Sequence, residues 1–100
     1  MKVDKALGMI GLATKAGKIA SGEFMTENAV KSGMASLVIV SAEASDNTKK
    51  KFRNMCEFYH VPIKECWTKD ELGKVTGKTF RASLAVTDSG LAQAIIKKWI

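Results

Sequence analysis

Apolar residues in this chain recur with two spacings, one typical of helices and one typical of strands. Over residues 4–16, Leu7 and Ile10 fall on one helical face among small residues, which predicts a helix that stops at Gly17. At 37–40 four apolar residues follow one another directly, a run typical of a strand covered on both faces. The pattern therefore predicts a helix first and the centre of a sheet later.

The rest of the chain continues this alternation. A second predicted helix runs from Ser21-Gly22 to Gly33, and a third begins at the caps Ser45 and Asp46 and has the apolar stripe Phe52, Met55, Cys56 and Tyr59. A short fourth helix runs from the capping box Thr68-Lys69-Asp70-Glu71 to Gly77. The last begins at Asp88 and has the apolar stripe Ala92, Ile95, Ile96 and Trp99. The other extended segments are residues 19–20, 61–66 and 83–87. Because crossover helices pack on both faces of a sheet, the pattern predicts an α/β fold with three layers and a largely parallel sheet.

Composition narrows the class of protein. With 100 residues, 46% apolar and 26% charged, the chain fits one globular domain spanning residues 1–100. Sixteen basic against ten acidic side chains give a net charge of +6, which favours a polyanionic partner. A basic surface without any specific site is the alternative. Two cysteines and no apolar run near 18 residues predict a reduced, cytoplasmic chain that does not enter a membrane.

One segment resembles a phosphate-binding loop and departs from it. Residues 73–79 read GKVTGKT, with three residues between the glycines where the nucleotide-binding motif has four. The predicted context is also inverted, because a helix precedes this segment and a strand follows it. We therefore expect no nucleotide hydrolysis.

Side chains suited to catalysis or metal binding are sparse. Cys56, His60 and Cys66 would offer three zinc ligands, but the sequence shows no fourth ligand. The alternative is structural, with Cys56 in an apolar helix stripe, Cys66 in a strand and His60 at a helix end. The sequence predicts no catalytic residues, no metal and no cofactor, and hence not an enzyme.

Two segments are candidates for binding. Ser21-Gly22 opens a helix whose amides suit a phosphate or a base edge, and it is followed on the next turns by Thr26, Asn28 and Lys31. Residues 77–81 combine glycine, cations and an aromatic ring, as RNA-binding surfaces do, and the candidate contacts here are Gly77, Lys78, Phe80 and Arg81. The structural alternatives are a plain helix cap for the first segment and a core-anchored Phe80 for the second. The run 49–51 (KKK) is interpreted as a solvated helix face, with an auxiliary RNA contact as the lesser alternative.

These residues carry a resemblance that covers nearly the whole chain. The spacing from Gly22 to Gly33, the segments 37–42 (LVIVSA) and 72–81 (LGKVTGKTFR), and the strand-to-helix ending 86–90 (VTDSG) resemble the ribosomal-protein family of the L7Ae and L30e type. The likeness is greatest to small bacterial members described as ribosomal or RNA-binding proteins. It implies a three-layer α-β-α sandwich with a four-stranded mixed sheet and about five helices. It also implies binding of kink-turns, which are sharply bent RNA internal loops with sheared G·A pairs.

The match to the family's RNA-contacting residues is uneven. Gly22 matches the glycine of the second-helix motif, whereas Phe24, Met25 and Asn28 stand where the family typically has Asn or Lys, Glu or Ser, and Lys. Phe24 and Met25 lack the polar groups that would hydrogen-bond guanine edges. In the second segment, Gly77, Phe80 and Arg81 resemble the Gly-x-x-Phe-Arg of the L30e branch, whose loop stacks on RNA.

The sequence thus supports two hypotheses. The first is a noncatalytic, monomeric binder of structured RNA, ribosomal RNA or the ribosome, acting in translation or ribosome biogenesis without a DNA partner. The second is a protein-protein interaction module in which Phe24 and Met25 form an exposed apolar patch on a surface that no longer recognises kink-turns.

Overall fold

The computed structural model describes residues 4–99, in which helices and strands alternate. The helices are α1 (Lys5–Lys15), α2 (Glu23–Lys31), α3 (Asp46–Tyr59), α4 (Lys69–Val75) and α5 (Ser89–Lys97). The strands are β1 (Ile19–Ser21), β2 (Leu37–Val40), β3 (Ile63–Glu65) and β4 (Ser83–Val86). Each predicted element is present, with ends that differ by a few residues from the pattern.

The sheet is mixed, and the prediction of a largely parallel sheet was wrong. Its four strands lie in the order β1-β4-β2-β3, and only the β2–β3 pair among them is parallel. β4 enters between β1 and β2 and runs antiparallel to both. An alternation of helices and strands does not specify where a returning strand enters the sheet, and the mixed sheet implied by the family resemblance is confirmed.

The two faces of the sheet bury separate apolar clusters. Leu37, Ile39, Leu84 and Val86 point to the face covered by α1, α4 and α5. Val38, Val40 and Ala85 point to the opposite face, under α2 and α3. Because successive strand residues face opposite sides, the uninterrupted apolar runs of β2 and β4 serve both clusters at once. The predicted three-layer α-β-α sandwich is therefore confirmed.

Side-chain caps stabilise the first turns of four helices. Side chains of Asp4, Ser45, Thr68 and Asp88 accept hydrogen bonds from the first-turn amides of α1, α3, α4 and α5. Thr68 and Glu71 form the predicted capping box. Trp99, predicted on the apolar stripe of the last helix, lies beyond the end of α5 and stacks on Trp67 with a ring-centroid distance of 5.3 Å. None of the described helices is long and apolar enough to cross a membrane.

Candidate nucleic-acid interface

Gly22 forms the start of α2 with a backbone conformation that suits glycine. Its φ is +96°, and it caps the helix without a side chain. Its amide donates to the carbonyl of Ser83 at 2.9 Å, so β4 holds the helix start in place. The first helical bond runs from Thr26 N to Gly22 O at 2.9 Å. The amides of residues 23–25 precede this bond and point out of the helix end, where they favour a negative charge.

The segment 77–81 is held in a defined turn after α4. The amide of Gly77 donates to Lys74 O at 3.2 Å and that of Lys78 to Gly73 O at 2.8 Å, the pair of bonds of a Schellman motif. Gly77 supplies the positive φ, +74°, that this motif requires. Arg81 N then donates to Lys69 O at 3.1 Å, which ties the end of the segment back to α4.

Gly73 determines how closely this segment lies against α4. A Cβ on Gly73 would lie 2.6 Å from Thr79 O and 2.7 Å from Phe80 N, and closer still to Phe80 Cα. These are backbone atoms, so a side chain here would displace the segment. Sequence reasoning did not identify this role of Gly73. A glycine within a helix, where it is unfavourable, was the available signal.

The two candidate segments meet, and their contact builds a groove. A Cβ on Gly22 would lie 3.6 Å from Arg81 Nε and 3.8 Å from Arg81 Cδ, so the arginine side chain packs directly over the helix start. Arg81 Nη1 donates to Phe80 O at 2.9 Å, while its Nε is buried without a hydrogen-bond partner among the described residues. The adjoining groove has a volume of about 410 Å³ and is lined by Thr14, Ile19, Ala20, Ser21, Met25, Thr76, Lys78 and Arg81.

The predicted direct contact by Thr26 is corrected by its burial. Thr26 is completely buried, and its hydroxyl donates to Gly22 O at 2.6 Å. It also accepts from the Ser83 hydroxyl at 3.3 Å. Thr26 faces inward because it lies one turn after Gly22 on the side of α2 that packs against β4. Its hydroxyl therefore positions the helix start from below and presents no surface to a ligand.

The other predicted residues of α2 lie at different distances from the helix start. Asn28 is exposed one turn beyond Phe24. Lys31 lies at the far end of α2, roughly 13–14 Å along the axis from Gly22 at a rise of about 1.5 Å per residue. Its ammonium pairs with Glu27 at 2.7 Å. The structure therefore separates Lys31 from the groove, whereas Lys78 and Arg81 line it and Phe80 is exposed beside them.

Lys51, in the run 49–51 interpreted as a solvated helix face, is exposed and belongs to an ion-pair cluster. Lys51 Nζ lies 3.0 Å from Glu23 and 2.6 Å from Glu27, bridging α3 to α2. Hydrogen bonds from Lys31 and Lys51 lower the pKa of Glu27 from 4.5 to about 2, and the same pairing with Glu27 and Glu23 raises the pKa of Lys51. The carboxylates nearest the start of α2 are thus neutralised by lysines on the side away from Arg81.

Phe80, Cys56 and Cys66 bear on two of the structural alternatives, and Cys66 lies directly after β3 instead of within the strand. Phe80 is 58% exposed, so its interpretation as a core anchor was wrong. Cys56 is buried in the cluster under α2 and α3, and burial raises its pKa to about 11. His60 directly follows α3 with φ +59°, as a helix-end residue does. Residues 4–99 contain no group of three or more metal-ligating side chains.

Several groove residues were missed by sequence reasoning. Thr14 and Thr76 add hydroxyl-bearing residues to the wall, and Ile19 and Ala20 add apolar ones. Thr14 lies on α1, which approaches the groove only through the packing of α1 beside α4 and β1. No local pattern marked it, because a threonine near the end of a helix is common and its neighbours in space come from elsewhere in the chain.

The fold and the groove define a small α-β-α sandwich domain that presents a basic groove beside a glycine-capped helix start. The sequence model of the ribosomal protein L7Ae/L30e/S12e/Gadd45 family matches residues 4–96, and this chain belongs to that family. The family resemblance inferred from the sequence is therefore confirmed.

Individual relatives agree with this assignment. The chain is 39% identical over 88 residues to the RNA-binding protein YlxQ of Bacillus subtilis, covering 88% of each chain. It is 35% identical over 92 residues to the large ribosomal subunit protein eL30 of Methanosarcina mazei, covering 90% of this chain and 82% of the relative.

Solved structures show the same fold. A protein of unknown function from Bacillus halodurans C superposes with a TM-score of 0.92 at 33% identity, covering 96% of this chain and 97% of the other. The 15.5kD RNA binding protein of Giardia lamblia has a TM-score of 0.80 at 21% identity, covering 92% of this chain and 79% of the other. At that identity the second likeness concerns the fold.

Proposed function

We propose that this protein is a noncatalytic binder of structured, kink-turn-like RNA that acts with the ribosome or its RNA. The outward amides at the start of α2 approach the RNA backbone beside Arg81, whose side chain packs over Gly22 in the space that a larger residue would fill. Lys78 and Arg81 neutralise phosphates in the adjoining groove, and Phe80 packs on an unpaired base.

The contact between Arg81 and Gly22 is the observation that supports this proposal most directly. It joins a helix start that favours anions to a guanidinium, two features that are distant in the sequence. A guanidinium with unpaired donors suits phosphate oxygens, which it contacts with two parallel hydrogen bonds. The net charge of +6 favours the same class of ligand.

The relatives give independent support, since the proteins that this chain resembles over most of its length are named as an RNA-binding protein and a ribosomal protein. In this proposal the chain acts as a cytoplasmic monomer in translation or ribosome assembly, with RNA and not DNA as its partner.

Binding to a kink-turn RNA and to a duplex of equal length, at low and moderate salt, tests the proposal. We expect nuclease-treated protein to bind the bent RNA more tightly, with affinity that falls as salt rises because bound counterions are released. Replacing Lys78 with alanine should weaken binding and reduce the slope of log affinity against log salt by about 1.

The matched control is Lys50→Ala, which removes an equally charged, exposed lysine from α3, outside the groove. We expect this variant to keep the wild-type slope. Binding of neither RNA at low salt would refute the proposal, and equal losses in both variants would show that only overall charge matters.

A further inference from the structure

The first turn of α2 carries two large apolar side chains beside the groove, an unusual place for them. Phe24 is 74% exposed and Met25 is 52% exposed, and Met25 lines the groove together with Lys78 and Arg81. Single exposed apolar side chains are common on protein surfaces, but two in one helical turn beside a groove are typical of a binding site. The position of these side chains at the helix start therefore requires an explanation.

The chemistry of these two side chains limits what they recognise. Phenylalanine has no hydrogen-bond donor or acceptor, and the methionine thioether is only a weak acceptor. Neither side chain distinguishes the edges of nucleobases, whereas both pack well against the flat face of any base.

The charges around the helix start favour a nucleic acid over a protein as the group that covers them. Lys78 and Arg81 line the groove next to Met25. On the other side of the helix start, Glu23 and Glu27 form ion pairs with Lys51, and Glu27 also pairs with Lys31. An apolar face bounded by cations and outward amides matches a base attached to a phosphate.

We propose that the start of α2 is a base-stacking platform, in which Phe24, supported by Met25, covers the face of an unstacked RNA base while Lys78 and Arg81 hold its phosphate. The inference rests on the proposed RNA-binding function and specifies its ligand. The preferred RNA has a splayed or bulged base at this point, and the identity of that base matters little because every base has a face to stack on.

A fluorescent base analogue, 2-aminopurine, placed at the unpaired position of a kink-turn RNA tests the platform, since stacking quenches its emission. We expect binding of the wild-type protein to quench it. Phe24→Leu, which keeps an apolar side chain and removes the ring, should lose the quenching and about tenfold in affinity. Phe24→Tyr, which retains a ring, should keep both.

Phe58→Leu is the matched control. Phe58 is 75% exposed on α3, so this substitution removes an equally exposed ring away from the groove. It should bind and quench like the wild type. Exchanging the unpaired base among the four natural bases should change affinity by less than about tenfold, whereas an abasic nucleotide should lower it as Phe24→Leu does.

The outcomes separate this inference from the function on which it rests. RNA binding with unchanged affinity and quenching in Phe24→Leu overturns the platform and leaves RNA binding intact. No RNA binding by the wild-type protein overturns the proposed function, and with it the platform. RNA binding indifferent to Phe24, together with a protein partner that Phe24→Leu no longer binds, overturns the platform in favour of the protein-interaction hypothesis.

Discussion

At Gly73 the absence of a single Cβ allows the segment that carries Phe80 to lie directly on α4. A methyl group there would lie 2.6 Å from Thr79 O and 2.7 Å from Phe80 N. Gly73→Ala should therefore push the segment outward, with a loss of about 1–3 kcal/mol in the free energy of unfolding and weaker RNA binding. Urea denaturation and RNA titration measure the two effects.

Gly8→Ala provides the control for this prediction. Gly8 also lies within a helix, but a Cβ on it would meet nothing within 4 Å. The substitution should stabilise the protein by about 0.5–1 kcal/mol, because alanine favours the helix, and it should leave RNA binding unchanged. Equal effects at both positions would show that helix propensity alone determines the outcome at Gly73.

The residues at and beside the candidate groove were predictable only in part. Gly22, Lys78 and Arg81 were identified from residue type, because glycine and cations near helix starts and turns favour anions whatever their neighbours. Thr26 was assigned a ligand contact although it is buried, since one sequence does not reveal which side of a short helix packs inward. The contact of Arg81 with Gly22 depends on the pairing of distant segments and has no local signal.

At the scale of elements, α2 and α3 are joined by the cluster of Glu23, Glu27, Lys31 and Lys51. The pKa of Glu27 lies at about 2 in the folded protein, below its ordinary value of 4.5. Since the folded state then holds the proton less tightly than the unfolded state, this pairing stabilises the fold fully above about pH 4.5. Its contribution is lost as the pH falls toward 2.

Removing one lysine that pairs with Glu27 should therefore make the free energy of unfolding less sensitive to acid. We expect Lys51→Met to lose less stability than the wild type between about pH 4.5 and pH 2, because less stabilisation is present to be lost. Urea denaturation at a series of pH values measures this. Lys50→Met is the control, as Lys50 makes no ion pair with the residues that the structure describes. Identical pH profiles for the three proteins would contradict the prediction.

Helices and their limits were largely predictable because caps and apolar stripes are local. Asp88 and the Thr68-Glu71 box marked helix starts within the sequence, and the structure places their hydrogen bonds there. The bridge from Lys51 to α2 was not predictable in this way. It requires α2 and α3 to lie side by side on the same face of the sheet, a relation that the helical pattern of neither segment contains.

For the whole molecule, the sharing of β2 and β4 by both apolar clusters predicts cooperative unfolding. Trp67 and Trp99 pack against the cluster under α1, α4 and α5, whereas Phe52 belongs to the cluster on the other face. If the two faces unfold together, Phe52→Leu should lower the urea midpoint of unfolding equally by two measurements. These are tryptophan fluorescence, which reports on the opposite face, and circular dichroism, which reports on the whole chain. A shift in circular dichroism alone would show that the faces unfold separately.

The three layers were predictable from the sequence, but the order of the strands was not. A run of apolar residues such as 37–40 indicates burial on both faces and is equally compatible with parallel and antiparallel neighbours. The position of β4 between β1 and β2 is decided by the packing of the whole chain. The family resemblance provided the mixed sheet, which the local pattern did not.

The position of β4 in the sheet also determines when the groove forms during synthesis. In the described sheet β1 pairs only with β4, and β4 also holds the amide of Gly22 through Ser83. During synthesis β1 therefore has no strand partner until residues 83–86 have been made. The start of α2 and the segment bearing Arg81 come together only once β4 has left the ribosome, so a chain that stops before β4 does not form the proposed binding groove.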